Sequence, residues 1–131
     1  MAKTTERRRS ARVLVVAAGG LLGAAIRVGV AAAFGWKPGA WPTATLVVNV
    51  AGAALLGWYL ARLGRTAAQW WSLDFWAIGV LGSLTTFSAL SIETVTLFDA
   101  GRAAAAAGYA VLSPIAGLLA AAAGAALGES R

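Results

Sequence analysis

Two polar stripes and one polar cluster interrupt an otherwise apolar chain. Thr45, Asn49 and Gly52 fall at i, i+4 and i+7, so they share one face of a helix. Tyr109, Ser113 and Gly117 fall at i, i+4 and i+8 and make a second stripe of hydroxyls beside a gap. Between them runs GVLGSLTTFSALSIE, Gly79 to Glu93, in which Ser83, Thr85, Thr86 and Ser88 follow two glycines. These are neutral donors and acceptors, and Asn49 is both. They suit the holding of an ion or the joining of helices. They do not suit bond cleavage. The chain has no His and no Cys, so the commonest general base and a thiolate nucleophile or metal ligand are missing. Without paired carboxylates there is no plausible catalytic set.

The elements that position these residues follow from composition. Of 131 residues, 60% are hydrophobic and only 12% are charged, against about 25% charged in a soluble domain. Mean hydropathy is +0.74. Such a chain cannot cover itself with polar surface, so its solvent is the bilayer. A helix crossing the hydrocarbon needs about 20 apolar residues. Four spans are predicted: Val13 to Phe34, Thr43 to Leu60, Leu73 to Phe98 and Ala103 to Leu127. The connectors are short. The expected organisation is all-α: a basic cytoplasmic tail over 1–12, then one four-helix transmembrane domain over 13–128. A cleaved signal peptide is the alternative for the first span. That stretch is too long for a signal, and its Gly and Arg pattern reads as a packing face.

All six Trp (Trp36, Trp41, Trp58, Trp70, Trp71 and Trp76) lie near predicted span ends, where indoles favour the headgroup level. Small residues recur four apart at Gly19 and Gly23, Ala53 and Gly57, and Gly124 and Gly128. They predict close helix packing, within one subunit or between two.

The formal charge is +6. Lys3, Arg7, Arg8, Arg9 and Arg12 precede the first span as a topology signal, not as a nucleic-acid arm. The N-terminus, second connector and C-terminus also hold Arg62, Arg65 and Arg131. The other side holds Lys37 and Arg102. This bias predicts both termini in the cytoplasm.

Polar groups inside a membrane are costly, so each needs a reason. Asn49 is either an interhelical bond or a pore-lining donor. Tyr109 is either an interface anchor or a functional hydroxyl. Ser113 either bonds back to its own helix or faces a path. In the third span, the Gly and Ser/Thr run makes a poor continuous helix. A break there frees backbone carbonyls and amides as ion ligands; the alternative is a helix with self-bonded hydroxyls. Arg27 and Glu93 are the only ionised groups well inside the spans. They are vestibule groups, or they are a pair.

Three motifs resemble the CrcB or Fluc family of small fluoride channels. GGLLGAAIR, Gly19 to Arg27, resembles the family's Gly-Gly-x-x-Gly-x-x-x-Arg. TLVVNVAG, Thr45 to Gly52, resembles Thr-Leu-x-Val-Asn-x-x-Gly. The third-span run resembles Gly-x-x-Gly-x-x-Thr-Thr-Phe-Ser-Thr-Phe-Ser-x-Glu. The resemblance implies an antiparallel dimer of four-helix subunits with a broken third helix and two fluoride pores. It implies a central structural sodium ion held by the carbonyls of Gly82 and Thr85. Asn49, Phe87, Ser88, Leu90, Tyr109 and Ser113 match pore positions. Fluoride, sodium, lipid and a second subunit are the implied partners, and the bacterial plasma (inner) membrane is the implied location. Fluoride is small and strongly hydrated, so neutral donors and a positive aromatic edge at Phe87 suit it.

The sequence departs from the family pattern. Leu90 stands where a second pore Phe is expected, Ala89 where a Thr hydroxyl is expected, and Val28 where a Tyr is common. Leu has no positive edge, and the charge bias exceeds what a dual-topology homodimer needs. The chain then fits one half of a heterodimer with a paired homologue as well as it fits a homodimer. The rival classes are a small multidrug-resistance-type proton-coupled transporter, which carries a Glu in its first span, and a non-conducting partner subunit.

Overall fold

The computed structural model describes residues 2–35, 37–64 and 69–130, with side chains from Arg8 onward. Trp36, Arg65, Arg131 and the side chains of Lys3 and Arg7 lie outside the described residues. Every described element is helical. Helix α1 is Ala2–Phe34 and α2 is Thr43–Leu63. Helix α3 covers residues 70–84, winding as α-helix over Trp70–Ser72, as π-helix over Leu73–Leu81 and again as α-helix over Gly82–Leu84. Helix α4 is Phe87–Asp99 and α5 is Ala103–Glu129.

Counting α3 with α4, four helical spans are long and apolar enough to cross a membrane. The second and fourth begin at the residues expected from Pro42 and from the Gly101 turn. Gly101 has φ +75°, which a glycine adopts without strain. The second span runs three residues beyond the expected Leu60, and α1 begins well before Val13. The basic segment therefore continues the first helix by several turns.

The helices touch backbone to backbone, which only glycine permits. A Cβ on Gly19 would strike the Phe75 carbonyl and Gly79; one on Gly23 would strike the Val80 carbonyl. Across the bundle, Gly57 faces the Ala121 carbonyl, and Gly124 faces the Ala54 carbonyl. The glycine pairs thus pack inside the subunit: α1 on α3, and α2 on α5. In lipid this close van der Waals contact does the work that apolar burial does in water.

Buried side chains are few. Leu90, Leu97, Ala106 and Tyr109 form one cluster, and Val48, Leu81 and Leu84 another. Leu14, Leu118 and many other large apolar side chains face outward. Such a surface belongs against lipid or another subunit, and the protein is a multi-pass membrane protein. Trp41, Trp58, Trp70, Trp71 and Trp76 are all exposed near span ends.

Candidate ion-path site

The third span is interrupted at two residues. Thr85 (ψ 150°) and Thr86 (φ −149°, ψ 124°) are extended, and α4 starts at Phe87. An interruption at membrane depth orphans backbone groups, and each must find a partner. Asn49, from α2, supplies two of them. Its Nδ2 donates to the Thr86 carbonyl at 2.9 Å, and its Oδ1 accepts the Thr86 N–H at 2.7 Å. Thr86 caps α4 by accepting the Ala89 N–H at its Oγ1, at 3.2 Å. Arg27, from α1, donates from Nε to the Ser83 carbonyl at 3.1 Å. The missing Cβ of Gly52 leaves room for the Thr85 methyl group. The stripe Thr45, Asn49 and Gly52 is therefore the face of α2 that grips the interruption.

These diversions leave two carbonyls without their helical donors. In a continuous helix the Thr86 N–H would donate to Gly82 and the Ala89 N–H to Thr85. Both amides are bonded elsewhere, to Asn49 and to the Thr86 hydroxyl. The freed carbonyls belong to the two residues expected to face sodium. Neutral carbonyl oxygens are a fitting donor set for such a cation. This chain offers two of them.

A second polar seam runs through α2, α4 and α5. Glu93 accepts from Thr45 Oγ1 at 2.6 Å and from the Tyr109 hydroxyl at 2.7 Å. Tyr109 is 1% exposed, and its ring meets Trp41 edge to face at 5.6 Å. One turn further, Ser113 Oγ is buried and makes no hydrogen bond among the described residues. Its hydroxyl lies beside that of Tyr109, whose own proton is directed at Glu93. Ser113 thus adds an uncharged hydroxyl to this seam, and Asn49 keeps its second Nδ2 hydrogen nearer the interruption.

Arg27 and Glu93 do not pair, since each has its own partners on different helices. Phe87 is 77% exposed. Ser88 is also exposed and shares a hydrogen bond with Thr86 Oγ1. Leu90 is buried in the cluster with Leu97, Ala106 and Tyr109, so it packs within the subunit. The sequence reading also passed over Arg12 and Asp74. They form a two-bond ion pair, Nε to Oδ2 at 2.6 Å and Nη2 to Oδ1 at 2.9 Å. Asp74 was a visible carboxylate at a span start, but nothing in the sequence links positions 62 apart.

Residues 14–125, which include the α2 stripe, the interruption and the polar seam, match the family described as CrcB-like protein, Camphor Resistance (CrcB). The chain belongs to this family. Among curated relatives, the CrcB-like chain is 40% identical over 116 residues to a Fluoride-specific ion channel FluC of Paracoccus denitrificans, covering 88% of this chain and 93% of the relative. It is 42% identical over 113 residues to a protein of that name from Pseudomonas fluorescens, covering 82% and 89%. It is 39% identical over 106 residues to Fluoride-specific ion channel FluC 1 of Mycolicibacterium paratuberculosis, covering 80% of each. The CrcB-like match takes in both the α2 stripe and the interruption.

Proposed function

We propose that this chain is a fluoride-selective channel that passes the ion down its gradient and out of the bacterial cytoplasm across the plasma membrane. The observation that carries the reading is the neutral character of the site. In a family whose relatives are named for fluoride, the path offers uncharged donors, one Asn49 amide hydrogen and the Ser113 hydroxyl, while the Arg27 guanidinium is engaged at the Ser83 carbonyl. Fluoride gives up its water only to donors that replace it. A cationic partner at that depth would hold the ion too tightly for release. The protein is a channel and not an enzyme.

The conducting unit in this reading is an antiparallel dimer. Phe87 is exposed beside the interruption, and in this reading a partner subunit covers its ring and turns the edge toward the path. The carbonyls of Gly82 and Thr85 from two copies would then converge on a structural sodium ion, which supplies positive charge to hold the two interruptions together. A heterodimer with a homologue of opposite orientation is favoured over a homodimer by the charge bias, eight basic residues against two. Proton-coupled exchange is disfavoured because the first span carries Arg27 and no carboxylate.

The test is fluoride efflux from liposomes holding the purified protein, alone and with any paired homologue. Efflux should follow the fluoride gradient without a pH gradient. Strict dependence on a proton gradient defeats the reading.

A further inference from the structure

Helix α1 holds α3 at both ends of its π-wound stretch. At the start, Arg12 grips Asp74 through two hydrogen bonds. At the end, Arg27 takes the Ser83 carbonyl. Between them, Gly19 and Gly23 lie directly against the backbone of Phe75, Gly79 and Val80. All but the first two residues of Leu73–Leu81 thus sit between two arginine anchors on one helix.

A π-helix is a rare winding, with bonds to i+5 in place of i+4. Here the Gly82 N–H still reaches back five residues, to the Ala77 carbonyl. Rewinding this stretch as α-helix would rotate and lengthen it. Everything beyond it would turn relative to α1, beginning with Gly82 and the interruption at Thr85 and Thr86. The two ends of the ion pair are not equivalent. The Asp74 side chain is 2% exposed and that of Arg12 is 61% exposed. Without Arg12 a buried carboxylate loses its charge partner, and the start of α3 is drawn toward water.

We propose that Arg12 and Asp74 form a positioning latch for the ion path. The pair fixes the register of α3 on α1 and so sets where the interruption presents its carbonyls, although neither residue touches that path. The proposal rests on the channel reading above for its functional consequence, but not for its structural one.

The experiment compares the reconstituted parent with Arg12→Gln, Asp74→Asn and the swap Arg12→Asp/Asp74→Arg. Fluoride efflux per subunit, the fluoride-to-chloride flux ratio and amide hydrogen exchange over residues 82–87 are measured. Each single change should lower fluoride efflux between roughly tenfold and a hundredfold, the scale of a small misplacement at a distance. It should also lower the flux ratio and speed exchange at Thr85 and Thr86, with overall helix content unchanged. The swap should restore all three. If a single change prevents insertion, Arg12→Lys keeps the charge and loses the fork, and it should give intermediate exchange and efflux. Parent-like exchange in the folded single variants overturns the latch. So does a folded swap that restores neither exchange nor efflux. If the parent carries no fluoride either alone or with a paired homologue, the channel reading fails, and the exchange data still decide the latch.

Discussion

Replacing Asn49 by Ala removes both hydrogen bonds that close the gap between α3 and α4. The Thr86 N–H and carbonyl, now held at 2.7 and 2.9 Å, are left without partners. An orphaned buried group costs about 1–3 kcal/mol. Asn49 is half-buried, so water reaches the gap in part and the lower figure applies to each group. The sum is about 2 kcal/mol. At this chain length a kcal/mol corresponds to about 4 °C in Tm, so the expected drop is roughly 8 °C. Thermal unfolding in detergent, followed by circular dichroism, measures it. Asn49→Asp tests the donor. The aspartate still accepts the Thr86 N–H, but its other oxygen faces the Thr86 carbonyl and its charge is costly at membrane depth, so it should melt no higher than the alanine variant. It also places an anion beside the path and removes the Nδ2 donor, so fluoride efflux should fall as far as in Asn49→Ala. A parent-like melting point for Asn49→Ala would refute the clamp. Parent-like efflux for Asn49→Asp would remove Asn49 from the path.

Phe87→Ala should abolish most efflux while leaving the unfolding free energy of the isolated subunit within about 0.5 kcal/mol of the parent, because the ring is exposed there. Leu90→Phe forces a larger ring into the cluster with Leu97, Ala106 and Tyr109. It should destabilise by about 1–3 kcal/mol and raise no flux, as read by unfolding and efflux together. C-terminal reporter fusions should signal from the cytoplasm alone, as the basic bias requires; equal signals from both sides would restore a dual-topology homodimer.

The spans were legible because lipid imposes a length and leaves few polar residues. Thr43 and Ala103 start their helices as expected because Pro42 and Gly101 mark the turns. The start of α1 was not legible, since a basic tail reads equally well as coil or as helix. The site residues stood out one by one because each is a cost in lipid. Their pairings did not. Asn49 meets Thr86 37 positions away, and Thr45 meets Glu93 48 away; no local period encodes such distances. For the same reason Arg27 and Glu93 were open to a mutual pairing that the fold does not make. Leu90 could be read only by alignment with a pore position, and the packing of α4 on α5 decides where its side chain lies.

The bonds that stabilise the interruption also give it an ion-facing character. An uninterrupted α-helix would consume the Gly82 and Thr85 carbonyls in its own ladder. Here the Asn49 amide and the Thr86 hydroxyl take the competing N–H groups. The carbonyls are freed by the contacts that keep the backbone satisfied. If the two carbonyls hold sodium as proposed, stability and ion affinity are two readings of one hydrogen-bond set. A change at Asn49 or Thr86 that returns an N–H to its helical carbonyl would straighten the span and withdraw a carbonyl from the proposed sodium site in the same step. Melting point and cation dependence should then shift together across variants of these two residues, whereas variants at exposed Phe87 should move flux alone.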